Sequence, residues 1–282
     1  MNAVHPGCAA PSGPERPRRR SRALRWLLVG TAVWAVLLTA LTWWSVRTDE
    51  PTVREQRSIG QAAPVVDRAI GRIVAALDGT AWAMTPARAE KGCRVTPLSD
   101  GTELTRGVDV LVAEGGERAV LDRVADALPD SWRAGVRDTS DGPLLRADAG
   151  EFVLVEGEVA DPGRVRFTVV TGCRPGDVEF ADLLIGHPPG PALEAALRAL
   201  GRPVPDHADR IAVTCPGGAK AWTQRAEAGP GPETLDALAP PAAGAVLVDT
   251  PEVYAYRSGA DVVVADATGD QLQLAVSTGC AG

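Results

Sequence analysis

Twenty-one consecutive residues, Trp26 to Val46, carry no charge and stand between Arg25 and Arg47. Nothing else in the chain restricts its folding so strongly. At about 1.5 Å per residue, a helix of this length spans roughly 31 Å, close to the ~30 Å hydrocarbon core of a bilayer. Trp26, Trp43 and Trp44 lie near its ends, where an indole ring favours the headgroup zone, while Trp34 lies mid-span. The expectation is a transmembrane helix over residues 26–46.

The flanks orient it. Arg16, Arg18, Arg19, Arg20, Arg22 and Arg25 precede the span; Arg47, Asp49 and Glu50 follow it. The positive-inside rule then makes residues 1–25 a basic cytoplasmic tail and puts everything after Val46 outside the cytoplasmic membrane. A cleaved signal peptide has a shorter apolar region before a small-x-small site. Here Trp43 and Trp44 occupy the place where cleavage would fall, so the reading is an uncleaved signal-anchor. Cys8 precedes the span and is expected as a cytoplasmic thiol rather than a lipoprotein cysteine. The formal charge of −7 resolves accordingly: six Arg and Glu15 give +5 over residues 1–25, while 23 basic and 35 acidic residues give −12 over 47–282. So acidic an exterior argues against nucleic acid as a partner.

Residues 47–63 are polar without apolar periodicity and read as a stalk. Beyond it the four remaining cysteines fall into two matched settings. Leu77-Asp78-Gly79 stands 14 residues before Cys93, counted from the glycine, and Leu200-Gly201 stands 14 before Cys215. Five residues before each cysteine is an arginine, Arg88 and Arg210. The second cysteines match more closely still. Val165 to Cys173 aligns without gaps on Leu272 to Cys280, with Val165, Phe167 and Val169 alternating as Leu272, Leu274 and Val276 do. That is the period of a strand with one buried face. An ordered series of such matches points to tandem duplication.

Each copy predicts the same succession of elements. A helix on the stripe Val66, Ile70, Ile73, Val74 and Leu77 (Leu193, Leu197 and Leu200 in copy two) is followed by two strands and a second helix. That second helix lies around Val120 to Leu128, or more briefly around Leu235 and Leu238. Three antiparallel strands close the unit, with turns near Gly150, Gly163, Gly259 and Gly269. The fold class is therefore α+β: a single transmembrane helix, then two tandem repeats (64–180 and 188–282) of helices packed on an antiparallel sheet. Duplication also selects one of the three possible cysteine pairings, Cys93 with Cys173 and Cys215 with Cys280. Each bridge is worth about 4 kcal/mol in the chain-entropy model.

Chemistry is sparse. His187 and His207 are the histidines of the exterior part, and neither accompanies a nucleophile elbow, a His-Glu-x-x-His or a phosphate-binding glycine loop. No catalytic residue, cofactor or metal is assigned. The Asp138–Gly142 and Asp266–Asp270 segments offer oxygens but fit turns better than calcium loops. Weak binding candidates are Tyr254 and Tyr256, one strand face beside Arg257, and the pair Arg88 and Arg210. Arginine supplies 27 of the 29 basic residues, as GC-rich bacterial genomes favour. The chain thus reads as a membrane-anchored, extracytoplasmic module of the bacterial cell envelope, non-enzymatic, binding an envelope protein or a cell-wall component. The alternatives are an envelope hydrolase using carboxylates at the inter-repeat cleft, and a sensor or accessory subunit signalling through the anchor. Non-reducing peptide mapping is expected to recover Cys93 linked to Cys173 and Cys215 linked to Cys280; a crossed pair would contradict the repeat.

Overall fold

The computed structural model describes residues 20–48, 58–176, 185–232, 234–243 and 245–280. Helix α1, Arg20–Thr48, contains the uncharged span, and its stretch Leu24–Trp44 is long and apolar enough to cross a membrane, with a mean hydropathy of 1.8. The hydroxyls of Thr31, Thr39 and Thr42 donate to the carbonyls of Leu27, Ala35 and Leu38, one turn back. The helix thereby satisfies three polar groups internally, as hydrocarbon surroundings require. By length and composition, such an N-terminal helix is compatible with a membrane anchor or a signal sequence. Cys8 lies outside the described residues.

Residues 52–282 make up a second unit. It begins with α2, Ile59–Ala76, which starts inside the segment expected as a stalk. The cause is local: the Ser58 hydroxyl accepts from the Gln61 N–H while the Gln61 side chain accepts from the Ser58 N–H, a capping box. Pro64, inside the helix, disguises this start in the sequence. Strands β1 (Ala81–Thr96) and β2 (Ser99–Leu111) form a long hairpin, followed by α3 (Glu117–Ala127). Strands β3 (Gly135–Thr139), β4 (Gly142–Asp148), β5 (Leu154–Asp161) and β6 (Arg164–Val170) complete an antiparallel sheet of order β1-β2-β6-β5-β4-β3.

The second half repeats the layout. After the short strand β7 (Ile185–His187) come α4 (Pro191–Ala199), the hairpin β8 (Ala208–Thr214) and β9 (Lys220–Glu227), and the single turn of α5 (Ala239–Ala242). Strands β10 (Val246–Asp249), β11 (Val253–Ser258), β12 (Asp261–Asp266) and β13 (Gln273–Thr278) follow. The sheet order, β10-β11-β12-β13-β9-β8-β7, is that of the first sheet with β7 added beside β8. Four strands close each half, rather than the expected three. The additional ones, β3 and β10, are short edge strands whose side chains are mostly exposed, so they carry no alternating apolar signal. The predicted disulfides are present, Cys93–Cys173 and Cys215–Cys280, each within one half.

Two helix-covered cores result. Helices α2 and α3 lie over Trp82, Met84, Val108, Val165, Phe167 and Val169 of the first sheet; α4 and α5 lie over Tyr254, Tyr256, Val263, Leu274 and Val276 of the second. The helix-free faces then meet. Ala81, Ala83 and Leu111 of the first sheet pack against Val253, Ala255, Val262, Val264 and Ala275 of the second. Strand β13 is consequently buried on both faces, with Ala275 and Ser277 as covered as Leu274 and Val276, where its sequence alternation suggested one wet face.

The halves are also tied through α2. Ile211, Val213 and Cys215 of the second half belong to the core beneath α2. Gly71 makes that approach possible, because a Cβ there would stand 2.1 Å from the Thr214 carbonyl oxygen. Mid-helix, alanine is preferred over glycine by about 1 kcal/mol, so Gly71→Ala discriminates by sign. With α2 seated on β8, the variant is expected to be destabilised by about 1–3 kcal/mol in denaturant titration of the full chain. A gain in stability would show α2 free of that strand.

Candidate functional site

The junction between the sheets brings together several partly covered charges, Arg164, Arg225, Asp109 and Asp266. Strand β1 is the edge of its sheet, and an edge strand carries backbone groups that need partners. At Met84 the second sheet supplies them: its N–H donates to the Thr223 hydroxyl at 3.1 Å, and its carbonyl accepts from the Arg225 guanidinium at 3.1 Å. Thr223 shares a further 2.8 Å hydrogen bond with Ser277. Burial pulls the Arg225 guanidinium below its usual pKa, against the opposing attraction of Asp109, Asp266, Glu227 and Asp209. Arg166 reaches Asp109 at 2.8 Å, which raises its pKa chiefly through that hydrogen bond.

The strongest single tie is Arg164 to Asp266, 2.6 Å apart with both side chains largely covered. Burial alone raises the Asp266 pKa. The Thr268 hydroxyl and N–H, with the Arg164 cation, outweigh it, and the net shift is downward from 3.8. Above this pair opens a groove of about 580 Å³ between the halves. One wall comes from the end of β2 and the β5–β6 turn, the other from β10, β11 and the β12–β13 turn. Val112, Pro162, Val248 and Val253 give it apolar surface, while Glu114, Asp161 and Glu252 are exposed acids along it. The β5–β6 turn is held rigidly. Gly163 has φ +74°, its N–H donates to the buried Glu117 carboxylate at 2.6 Å, and its carbonyl accepts from the Val112 N–H. Burial raises the Glu117 pKa, but hydrogen bonds from Gly163 and neighbouring backbone N–H groups leave it lowered overall.

The residues singled out in the sequence do not converge on this groove. Tyr254 and Tyr256 are buried beneath α4 and α5, so the exposed aromatic face that would bind a ligand is absent; burial pushes the Tyr256 hydroxyl up to about 12. Arg210 stacks on the Trp222 ring, 4.6 Å from its centroid, whereas Arg88 is exposed on the long hairpin. The two arginines thus share a sequence offset and not a role. His187 lies in β7 and His207 packs beside Gly186 in the neighbouring loop. The two Asp-rich segments are turns: Asp138 pairs with Arg118 at 2.6 Å, and Asp266 accepts from Thr268 and Arg164. Among the described residues no group of three or more His, Cys, Asp or Glu side chains is arranged to hold a metal.

Arg164, Arg225 and Asp109 escaped the sequence reading, because a charged residue in an alternating strand looks like a wet-face residue until a second sheet covers it. Asp266→Asn leaves the Arg164 cation covered and unpaired, and is expected to cost roughly 3 kcal/mol at neutral pH. Because the folded pKa of Asp266 lies below its unfolded one, this stabilisation is complete above about pH 4 and fades as pH falls through the folded value. Urea titrations of both proteins at pH 7 and pH 3 should therefore show the difference shrinking with acid; a constant difference would remove Asp266 ionisation as its source. No family model matches the chain, and no curated protein does. Among solved structures, a DUF4853 family protein from Actinomyces odontolyticus is similar at 12% identity and a TM-score of 0.35, covering 60% of this chain and 93% of its own.

Proposed function

We propose that this protein is a single-pass, membrane-anchored binding or accessory module of the bacterial cell envelope. In this reading residues 1–25 lie in the cytoplasm, α1 stays in the cytoplasmic membrane, and the two sheets stand outside. The observation that carries it is the pairing of an apolar helix with two disulfides in the unit that follows, since such bridges persist in oxidising, extracytoplasmic compartments. The arginine-rich N-terminal flank supports the orientation. The shared strand order supports an origin by tandem duplication.

The groove between the halves is the binding surface of this proposal. It joins apolar walls to exposed carboxylates, a surface suited to an envelope protein or cell-wall component bearing positive charge. The hydrolase alternative needs a carboxyl group kept protonated near neutrality to act as general acid. Asp266, which pairs with the groove residue Arg164, is shifted the opposite way. Two measurements test the proposal. Alkaline phosphatase fused after Gly282 should be active in cells, and an inactive fusion would reverse the orientation. A photo-crosslinking residue at Glu252 should capture one discrete envelope component, and the loss of that adduct in a Glu114→Lys, Asp161→Lys variant would tie it to the groove. Adducts unaffected by those changes would remove the groove from the proposal.

A further inference from the structure

We propose that the protein has a second, separate site, for a small zwitterion of amino-acid size, in the cavity between the C-terminal end of α2 and the β11–β12 turn. The cavity measures about 330 Å³ and shares no lining residue with the groove. The inference therefore stands independently of the membrane topology and of the groove's partner. Its size falls at the lower end of the range for small-molecule pockets.

Four polar side chains line it: the Thr80 hydroxyl donates to the Leu77 carbonyl, while those of Trp82, Arg257 and Asp78 bind nothing among the described residues. Trp82 is 3% exposed, yet its indole N–H donates to no acceptor among the described residues. That N–H keeps contact with solvent, so it is available to a ligand in the cavity. Arg257 and Asp78 lie on the same cavity, and neither forms an ion pair among the described residues, with each other or elsewhere. The rest of the lining includes the Val74 and Val262 side chains and the Cys215–Cys280 bridge at Cys280. Elsewhere in the unit, the buried cations Arg164 and Arg106 are paired, with Asp266 and Asp67. A cavity with one uncommitted cation, one uncommitted anion and a spare N–H donor is complementary to a ligand carrying both charges. Its carboxylate would accept from Arg257 and the Trp82 indole, and its ammonium would donate to Asp78. The apolar wall leaves room for a small side chain.

Asp78 belongs to the Leu77-Asp78-Gly79 segment that marks the end of the first helix in copy one. Copy two has Leu200-Gly201 there, without the aspartate. The site is thus a property of one half's helix end set against the other half's hairpin turn.

Isothermal titration calorimetry of the full chain in detergent, with L-alanine, L-leucine and the dipeptide alanylalanine as probes, tests the proposal. Saturable binding of at least one is expected, with Arg257→Gln and Asp78→Asn each weakening it about tenfold or more. N-acetylalanine and alaninamide, which carry one charge each, should bind more weakly than alanine. Trp82→Phe removes the donor with part of the ring, so it should weaken binding, and circular dichroism at the titration temperature checks that this variant of a core residue is still folded. Tighter binding of the dipeptide upholds the site and names a peptide as its ligand; tighter binding of an amino acid upholds it for the free molecule. No saturable heat with any of the three zwitterions would overturn the proposal. So would affinities unchanged in both charge variants.

Discussion

The second unit depends on the contact between two sheet faces that carry no helices. Each half covers one face of its sheet with helices and leaves the other bare. A bare antiparallel sheet face can be polar and wet, but here both faces present small and β-branched apolar side chains to one another. Alanines at positions 81, 83, 255 and 275 let the sheets approach closely enough for backbone groups of β1 to reach side chains of β9. Once that contact forms, the Met84 backbone groups of edge strand β1 are satisfied, Arg164 and Asp266 are covered together, and α2 is brought over β8.

The polar ties at this junction specify alignment more than they add stability. Desolvating Arg225 and the Arg164–Asp266 pair is costly, and their attraction offsets that cost only when the sheets are in register. Apolar side chains of similar size would tolerate sliding; a guanidinium aimed at the Met84 carbonyl does not. The same alignment sets the groove and the smaller cavity, because each is walled by elements from both halves. Both cavities therefore lie at the seam between the halves, rather than within either.

The disulfides work at a different level. Each joins the region of the first hairpin to the segment after the last strand of the same sheet, closing 80 and 65 residues of chain. By restricting the unfolded chain they support each half separately, and they leave the inter-sheet contact to packing. Cys280 is the partial exception, since its sulfur also lies against the Gly71 carbonyl of α2.

The sequence by itself determined the features that depend on local pattern or on symmetry between segments. The apolar span of α1, the α+β class, the helix stripes and the cysteine pairing all follow from periodicity and from matched offsets. Where the local signal was faint, the reading fell short: Pro64 concealed the start of α2, and β3 and β10 have too little buried surface to alternate. Only the tertiary structure decided which faces were covered. It buried Tyr254 and Tyr256 under helices, closed the wet face expected of β13, and assembled the groove and the zwitterion cavity from residues far apart in the chain. The physical reason is that burial by another sheet is a long-range property. A strand's own alternation tells which side chains share a face, but not what packs against it.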